Sequence, residues 1–196
     1  MRVIAGTHGG RVLRTLPGRA LRPTLDRVRE SLFAILRDEI EGAHVLDLFA
    51  GTGALGIEAL SRGAASALFV DDDPRALAVL RGNLDTLDLA GRARVLRGRV
   101  PAVLRPGQKS SLPLPMSADI IFADPPYRSS LARETALCLL EPEWFPSWRC
   151  LVVETEREAD LSDIANGVSG AGGAIDIDRR VYGDTAVLFA RRTPLT

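Results

Sequence analysis

Histidine and cysteine are scarce in this chain of 196 residues: His8, His44, Cys138 and Cys150 are the whole supply. They match no zinc spacing, so no metal centre is expected, and the two cysteines, in apolar surroundings, read as buried reduced thiols. Lysine is nearly missing, with Lys109 the one example, so arginine carries the positive charge. Aromatic residues make up 5%, and the two tyrosines are Tyr127 and Tyr182. Long apolar runs are missing too: stretches such as 120–123 and 186–190 fall far below the ~20 residues a membrane helix needs. The N-terminus turns glycine- and arginine-rich directly after Met1-Arg2-Val3-Ile4, without the apolar segment and cleavage site of a secretory signal. A cytoplasmic protein without a membrane segment is expected.

What is present fits one globular domain: 46% hydrophobic and 26% charged residues are enough for a well-buried core and exclude gross disorder. The net charge of zero hides an asymmetry. Residues 1–37 hold eight arginines (Arg2, Arg11, Arg14, Arg19, Arg22, Arg27, Arg29, Arg37) against Asp26 and Glu30, a local charge of +6 that the remainder cancels. Clustered cations attract phosphates even where the total charge vanishes, so a polyanionic partner is one reading and a solvated basic face the other.

Short apolar stretches at 3–5 and 11–13 flank Gly6-Thr7-His8-Gly9-Gly10, the pattern of a hairpin with a mobile, basic tip. Thr24, after Pro23, can cap a helix running to about residue 40, with Val28, Leu32, Ile35 and Leu36 at helical spacing. From residue 44, strands and helices alternate: strands at 45–50, 67–70, 94–96, 118–123 and 150–154, and helices at 54–62, 75–88 and 130–140. That alternation predicts a doubly wound α/β domain with a mostly parallel sheet. Segments 175–182 and 185–191, joined through Gly183-Asp184, predict an antiparallel hairpin closing one edge.

Two segments carry chemistry. The first, Val45-Leu46-Asp47-Leu48-Phe49-Ala50-Gly51-Thr52-Gly53-Ala54-Leu55-Gly56, is an apolar strand running through a glycine turn into a helix. Gly51-x-Gly53-x-x-Gly56 fits the dinucleotide fingerprint, and Asp71, 20 residues beyond Gly51, is placed to grip a ribose. Nicotinamide cofactors and S-adenosylmethionine both carry such a ribose. Asp47 favours the latter: a carboxylate there repels a diphosphate and suits an ammonium and a sulfonium. Its position inside the strand run argues against a mere helix cap. The second segment, Ile120-Ile121-Phe122-Ala123-Asp124-Pro125-Pro126-Tyr127, is an apolar strand ending in a rigid turn whose prolines supply no amide donors. The Asp124 carboxylate and the Pro125 carbonyl can hold both N–H bonds of a base's exocyclic amine, with Tyr127 stacking on the extruded base.

With these segments in view, the chain resembles the class I S-adenosylmethionine-dependent methyltransferases of exocyclic amines, and more closely the RsmD family of bacterial small-subunit ribosomal RNA guanine-N2 methyltransferases. The resemblance covers nearly the whole chain and rests on three blocks in the family's order. They are Arg22-Pro23-Thr24-x-Asp26-Arg27-Val28-Arg29-Glu30-x-Leu32-Phe33, then Leu46 to Gly56, then Asp124-Pro125-Pro126-Tyr127. It implies a Rossmann-like fold with a seven-stranded, mostly parallel sheet, an antiparallel C-terminal edge hairpin and a small N-terminal β-hairpin extension. It also implies methylation of the guanine called position 966 of 16S ribosomal RNA, in the assembling or assembled small subunit. Asp47, Phe49, Gly51 and Gly53 would line the methionine portion of S-adenosylmethionine, Asp71 or Asp72 would take the ribose hydroxyls, and the backbone of Val100 would serve the adenine. Asp124, next to both cofactor and base, would act with Pro125, Pro126 and Tyr127 on the guanine. Arg2, Arg11, Arg14, Arg19, Arg22, Thr24, Arg27 and Arg29 would meet RNA.

The expected organisation is a basic hairpin extension over 1–22 followed by a methyltransferase domain over 23–196. Three other readings use parts of the same pattern: an adenine-N6 DNA methyltransferase, a nicotinamide oxidoreductase, and a non-catalytic RNA-binding ribosome assembly factor. The first has no evident DNA-reading domain to draw on, and the second leaves Asp124 to Tyr127 without a task.

Overall fold

The computed structural model describes residues 1–16, 23–105, 117–127, 129–140, 147–159 and 175–192. The chain divides into two compact units, Met1–Arg97 and Gly98–Thr196. Its seven-stranded sheet supplies the order β3-β2-β1 to the first and β4-β5-β7-β6 to the second.

In the first unit, helix α1 (Pro23–Ile35) buries Val28, Leu32 and Phe33. It is shorter than its apolar spacing predicts, because the chain turns over residues 36–39 and drives Ile40 into the core instead. Strands β1 (His44–Leu48), β2 (Ser66–Asp71) and β3 (Ala93–Arg97) pair in parallel. Helices α2 (Ala54–Ser61) and α3 (Pro74–Thr86) are the crossovers, α2 packing on β1 and β2 and α3 on β2 and β3. The apolar character of β1 and β2 follows from this covering: Leu46, Leu48, Phe69 and Val70 are fully buried. Asp73 caps α3 by accepting the Arg75 amide, and Pro74 opens the helix where a missing N–H costs nothing.

The second unit carries β4 (Ile120–Ala123), α4 (Leu131–Leu140), β5 (Cys150–Glu156), β6 (Ile175–Tyr182) and β7 (Thr185–Arg192). β4 and β5 are parallel; β7 lies antiparallel to both β5 and β6. Gly183, at φ +63°, and Asp184 form the tight connection expected between β6 and β7, with Tyr182 opposite Thr185. Cys138 and Cys150 are both buried. The indole N–H of buried Trp148 donates to the Leu139 carbonyl, and Arg192 lies over its ring at 4.4 Å. No helix among the described residues is long and apolar enough to cross a membrane. The fold class agrees with expectation: a mostly parallel α/β sheet ending in an antiparallel edge hairpin.

Candidate active site

The first unit holds the glycine turn. After β1, Phe49 takes φ +60°, a left-handed conformation uncommon outside glycine, and Gly53 takes +88° as the residue that opens α2. Side chains are excluded here by space as well as by backbone angle. A Cβ at Gly53 would lie 2.3 Å from Leu80 Cδ1, and one at Gly56 would lie 2.3 Å from the Phe69 ring and 3.0 Å from Asp47 Oδ2. The turn therefore keeps bare backbone against a packed floor of Leu80 and Phe69.

Asp47 lies beneath that turn, 2% exposed, and its Oδ2 accepts the Gly56 amide at 2.9 Å. It thus does part of the work of a helix cap from inside a strand, a role that its sequence position argues against. Burial pushes its carboxyl up to about 7; the Gly56 amide opposes the shift and nearby Asp71 adds to it. A cation brought close would return it to the ionised form.

The three consecutive acids after β2 do different things. Asp71 accepts the Gly51 amide on Oδ2 at 2.7 Å and the Asp73 amide on Oδ1 at 2.9 Å, tying the glycine turn to the end of β2. Asp73 is committed to capping α3 and pairing with Arg75. Asp72 is exposed, and its carbonyl accepts from Arg97 Nε at 3.4 Å.

The described part of the basic arm, residues 1–16, is held at several points. A single antiparallel bridge joins Arg2 and Val12, with Val3 and Leu13 buried. The tip, expected to be mobile, is bonded to α2: the Thr7 amide donates to the Ser61 carbonyl and the His8 amide to Ser61 Oγ. A Cβ at Gly6 would fall 1.9 Å from that same carbonyl, so glycine is required for the approach. Buried Glu58 accepts the amides of Ile4 and Ala5 at 2.7 and 3.0 Å while pairing with Arg62 at 2.7 Å. Arg2, Arg11, Arg14 and Arg27 are exposed. Arg29 stands apart from them: it is 5% exposed, with its guanidinium bonded to the Arg2 carbonyl, Asp26 and Met1 Sδ. Burial lowers its pKa, and its bonds hold the arm's first strand, leaving it badly placed to meet a phosphate. Arg19, Arg22 and the side chain of Thr24 lie outside the described residues.

Glu58, Ser61 and Asn83 were not anticipated. A signal did exist for Glu58: a lone acid within the apolar run Ala54 to Leu60 must find partners if the helix is buried.

In the second unit, Asp124 and Pro126 are exposed at the end of β4 and Pro125 is buried. Tyr127 is 38% exposed, and its hydroxyl donates to Glu154 Oε1 at 3.0 Å and lies 2.7 Å from Thr185 Oγ1. Burial raises the pKa of the phenol, with the Glu154 charge adding to the shift, and burial raises Glu154 as well. Tethered through its hydroxyl to β5 and β7, the ring keeps part of its surface open. Ser129 Oγ donates to the Pro126 carbonyl at 2.6 Å. Val100 is buried, 3% exposed.

A family model described as Conserved hypothetical protein 95 matches residues 1–191. Ribosomal RNA small subunit methyltransferase D of Escherichia coli K12 is 41% identical over 164 residues, which is 84% of this chain and 79% of that one. The chain belongs to the RsmD family, within the class I methyltransferases. The Haemophilus influenzae protein of the same name is 37% identical over 162 residues, 82% of this chain and 81% of that one. Among solved structures, that of the Escherichia coli protein yhhF superposes with a TM-score of 0.78 at 36% identity, covering 99% of both chains. The span of the RsmD-family match takes in the basic arm, the glycine turn and Asp124 to Tyr127.

Proposed function

We propose that this RsmD-family chain methylates 16S ribosomal RNA in the cytoplasm, transferring a methyl group from S-adenosylmethionine to the exocyclic N2 of one guanine, position 966. The substrate is the assembling or assembled small subunit. The observation that carries the reading is the Asp47-backed glycine turn, in a chain whose relatives are named for methylating small-subunit ribosomal RNA.

The residues of the turn fit this cofactor. Asp47, with Phe49, Gly51 and Gly53, would hold the amino acid end, where an ammonium offsets the cost of ionising a buried carboxylate. A diphosphate there would meet Asp47 and Asp71 together, which disfavours a nicotinamide cofactor. Asp71 or Asp72 takes the ribose hydroxyls, the former by exchanging an amide partner and the latter from its exposed position. The Val100 backbone serves the adenine.

S-adenosylmethionine, when bound, supplies a methyl carbon already activated by its sulfonium, so little acid–base power is asked of the protein. Asp124 and the Pro125 carbonyl accept the two N–H bonds of the guanine amine and leave the nitrogen lone pair aimed for in-line attack. Asp124 then receives the proton that the methylated nitrogen loses. Pro126 holds the turn rigid, and the open part of Tyr127 stacks on the base. The extension over residues 1–22 acts as the RNA-binding element ahead of the 23–196 methyltransferase domain. Arg2, Arg11, Arg14 and Arg27 would contact phosphates, joined by Arg19, Arg22 and Thr24. Arg29 would position the arm.

The test is transfer of labelled methyl from S-adenosylmethionine to small subunits from cells lacking the activity, followed by nucleoside analysis. N2-methylguanosine at a single site is expected. Label in N6-methyladenine of DNA would replace this reading with the DNA-modifying one. Cofactor and subunit binding without transfer would replace it with an assembly factor.

A further inference from the structure

Asn83, on α3, is 2% exposed and holds two separate pieces of the first unit at once. Its Nδ2 donates to the Thr52 carbonyl, between the two glycines of the turn, at 3.0 Å. The same Nδ2 donates to the Arg14 carbonyl at 3.1 Å, and Oδ1 accepts the Arg14 amide at 2.9 Å. Arg14 belongs to the basic arm, so one buried amide joins the backbone of the glycine turn to the backbone of the arm. The orientation of the amide is forced, because two carbonyls require the donor end and one N–H requires the acceptor end. Two further anchors of the arm, Glu58 and Ser61, bond to residues 4–8.

We propose that Asn83 is a positioning residue that couples cofactor occupancy of the glycine turn to the order of the basic arm. The proposal rests on the cofactor and RNA roles assigned above and adds the link between them. Cofactor binding that fixes the Thr52 peptide fixes the Asn83 amide, and with it both backbone groups of Arg14. By linkage the influence is reciprocal: RNA that orders the arm tightens the turn around the cofactor. Direct hydrogen bonds through a buried side chain are a physical path, so no long-range change of shape is needed.

The test is amide hydrogen exchange of the full chain with and without saturating S-adenosylhomocysteine, in wild type and Asn83→Ala. In wild type the ligand is expected to slow exchange at residues 51–56 and also, by about fivefold or more, at 11–14. In Asn83→Ala the protection at 51–56 stays and that at 11–14 disappears. Arg14→Pro removes the amide donated to Asn83, together with a guanidinium that has no part in the RNA-free experiment, and leaves the Nδ2 bond to the residue 14 carbonyl; it is expected to weaken the ligand-induced protection at 11–13 while that at 51–56 stays, if Asn83→Ala does not fold. Equal protection of the arm in wild type and variants overturns the coupling, as does protection of the turn alone in wild type. A wild type with no protection at 51–56 overturns the cofactor assignment and the coupling together. A wild type that binds the ligand but transfers no methyl group to small subunits overturns only the assigned reaction.

Discussion

The glycine turn of the first unit and the Asp124–Tyr127 turn of the second are both strand ends bearing an aspartate, yet they are built in opposite ways. Asp47 is buried with a backbone amide on its carboxylate, and a Cβ at Gly56 would meet both the Phe69 ring and that carboxylate. Asp124 is exposed, its turn is stiffened by two prolines, and Tyr127 is held through its hydroxyl. A site for a small cofactor of constant shape gains from being fully formed beforehand, whereas a site for one base of a large RNA must remain open to receive it. The contrast separates holding from admitting.

The largest effect is expected at the open turn, to which the chemistry is assigned. Asp124→Ala should lower methyl transfer by about 100-fold, the scale of losing alignment at a reacting centre, while subunit binding and S-adenosylhomocysteine affinity persist. Nearly full activity in that variant, measured by single-turnover labelling, would break the assignment. Next comes the closed turn: Gly56→Ala must displace the Phe69 ring and Asp47, so a loss of about 1–3 kcal/mol in thermal or urea unfolding is expected, with weakened cofactor binding. Arg29→Ala should lower stability by about 1–3 kcal/mol, because the part-buried bond from Arg29 to the Arg2 carbonyl is lost.

The buried aspartate also gives a pH signature. Its folded-state pKa, about 7, lies above the ordinary carboxylate value, so the folded protein holds a proton that the unfolded chain has released. Its contribution to stability is therefore full at pH below about 4 and is lost as pH rises to about 7. Asp47→Asn should remove that fall from the melting profile of the cofactor-free protein, and wild-type affinity for the cofactor should rise through the same window as Asp47 ionises. The smallest effect belongs to the exposed arm: Arg11→Ala should weaken subunit binding a few-fold and reduce its salt slope by about one. Arg29→Ala should leave the slope unchanged, which distinguishes an arginine that touches RNA from one that seats the arm.

The features open to sequence reading were the periodic ones and those with a fixed chemical spelling. Alternating apolar runs place every strand and crossover helix to within a few residues, the Gly183-Asp184 pair marks its hairpin, and Gly51 to Gly56 marks the turn. Less legible were bonds made across long sequence separations by residues with no local signature. Asn83 reaches Arg14 across 69 residues and Glu58 reaches Ile4 across 54, and nothing near either residue names its partner. Arg29 was misleading for a related reason, since an arginine off the apolar stripe of a helix looks exposed until another segment covers it. The acids at 71–73 could be ranked only once the Asp71 and Asp73 carboxylates had been seen with their amide partners.

The long reach of those anchors also orders events during synthesis. Residues 1–16 leave the ribosome well before Glu58, Ser61 and Asn83, which emerge only after a further stretch of chain has been made. Until then the arm is a tether without those later moorings, and it is exposed before the turn that it will be tied to exists.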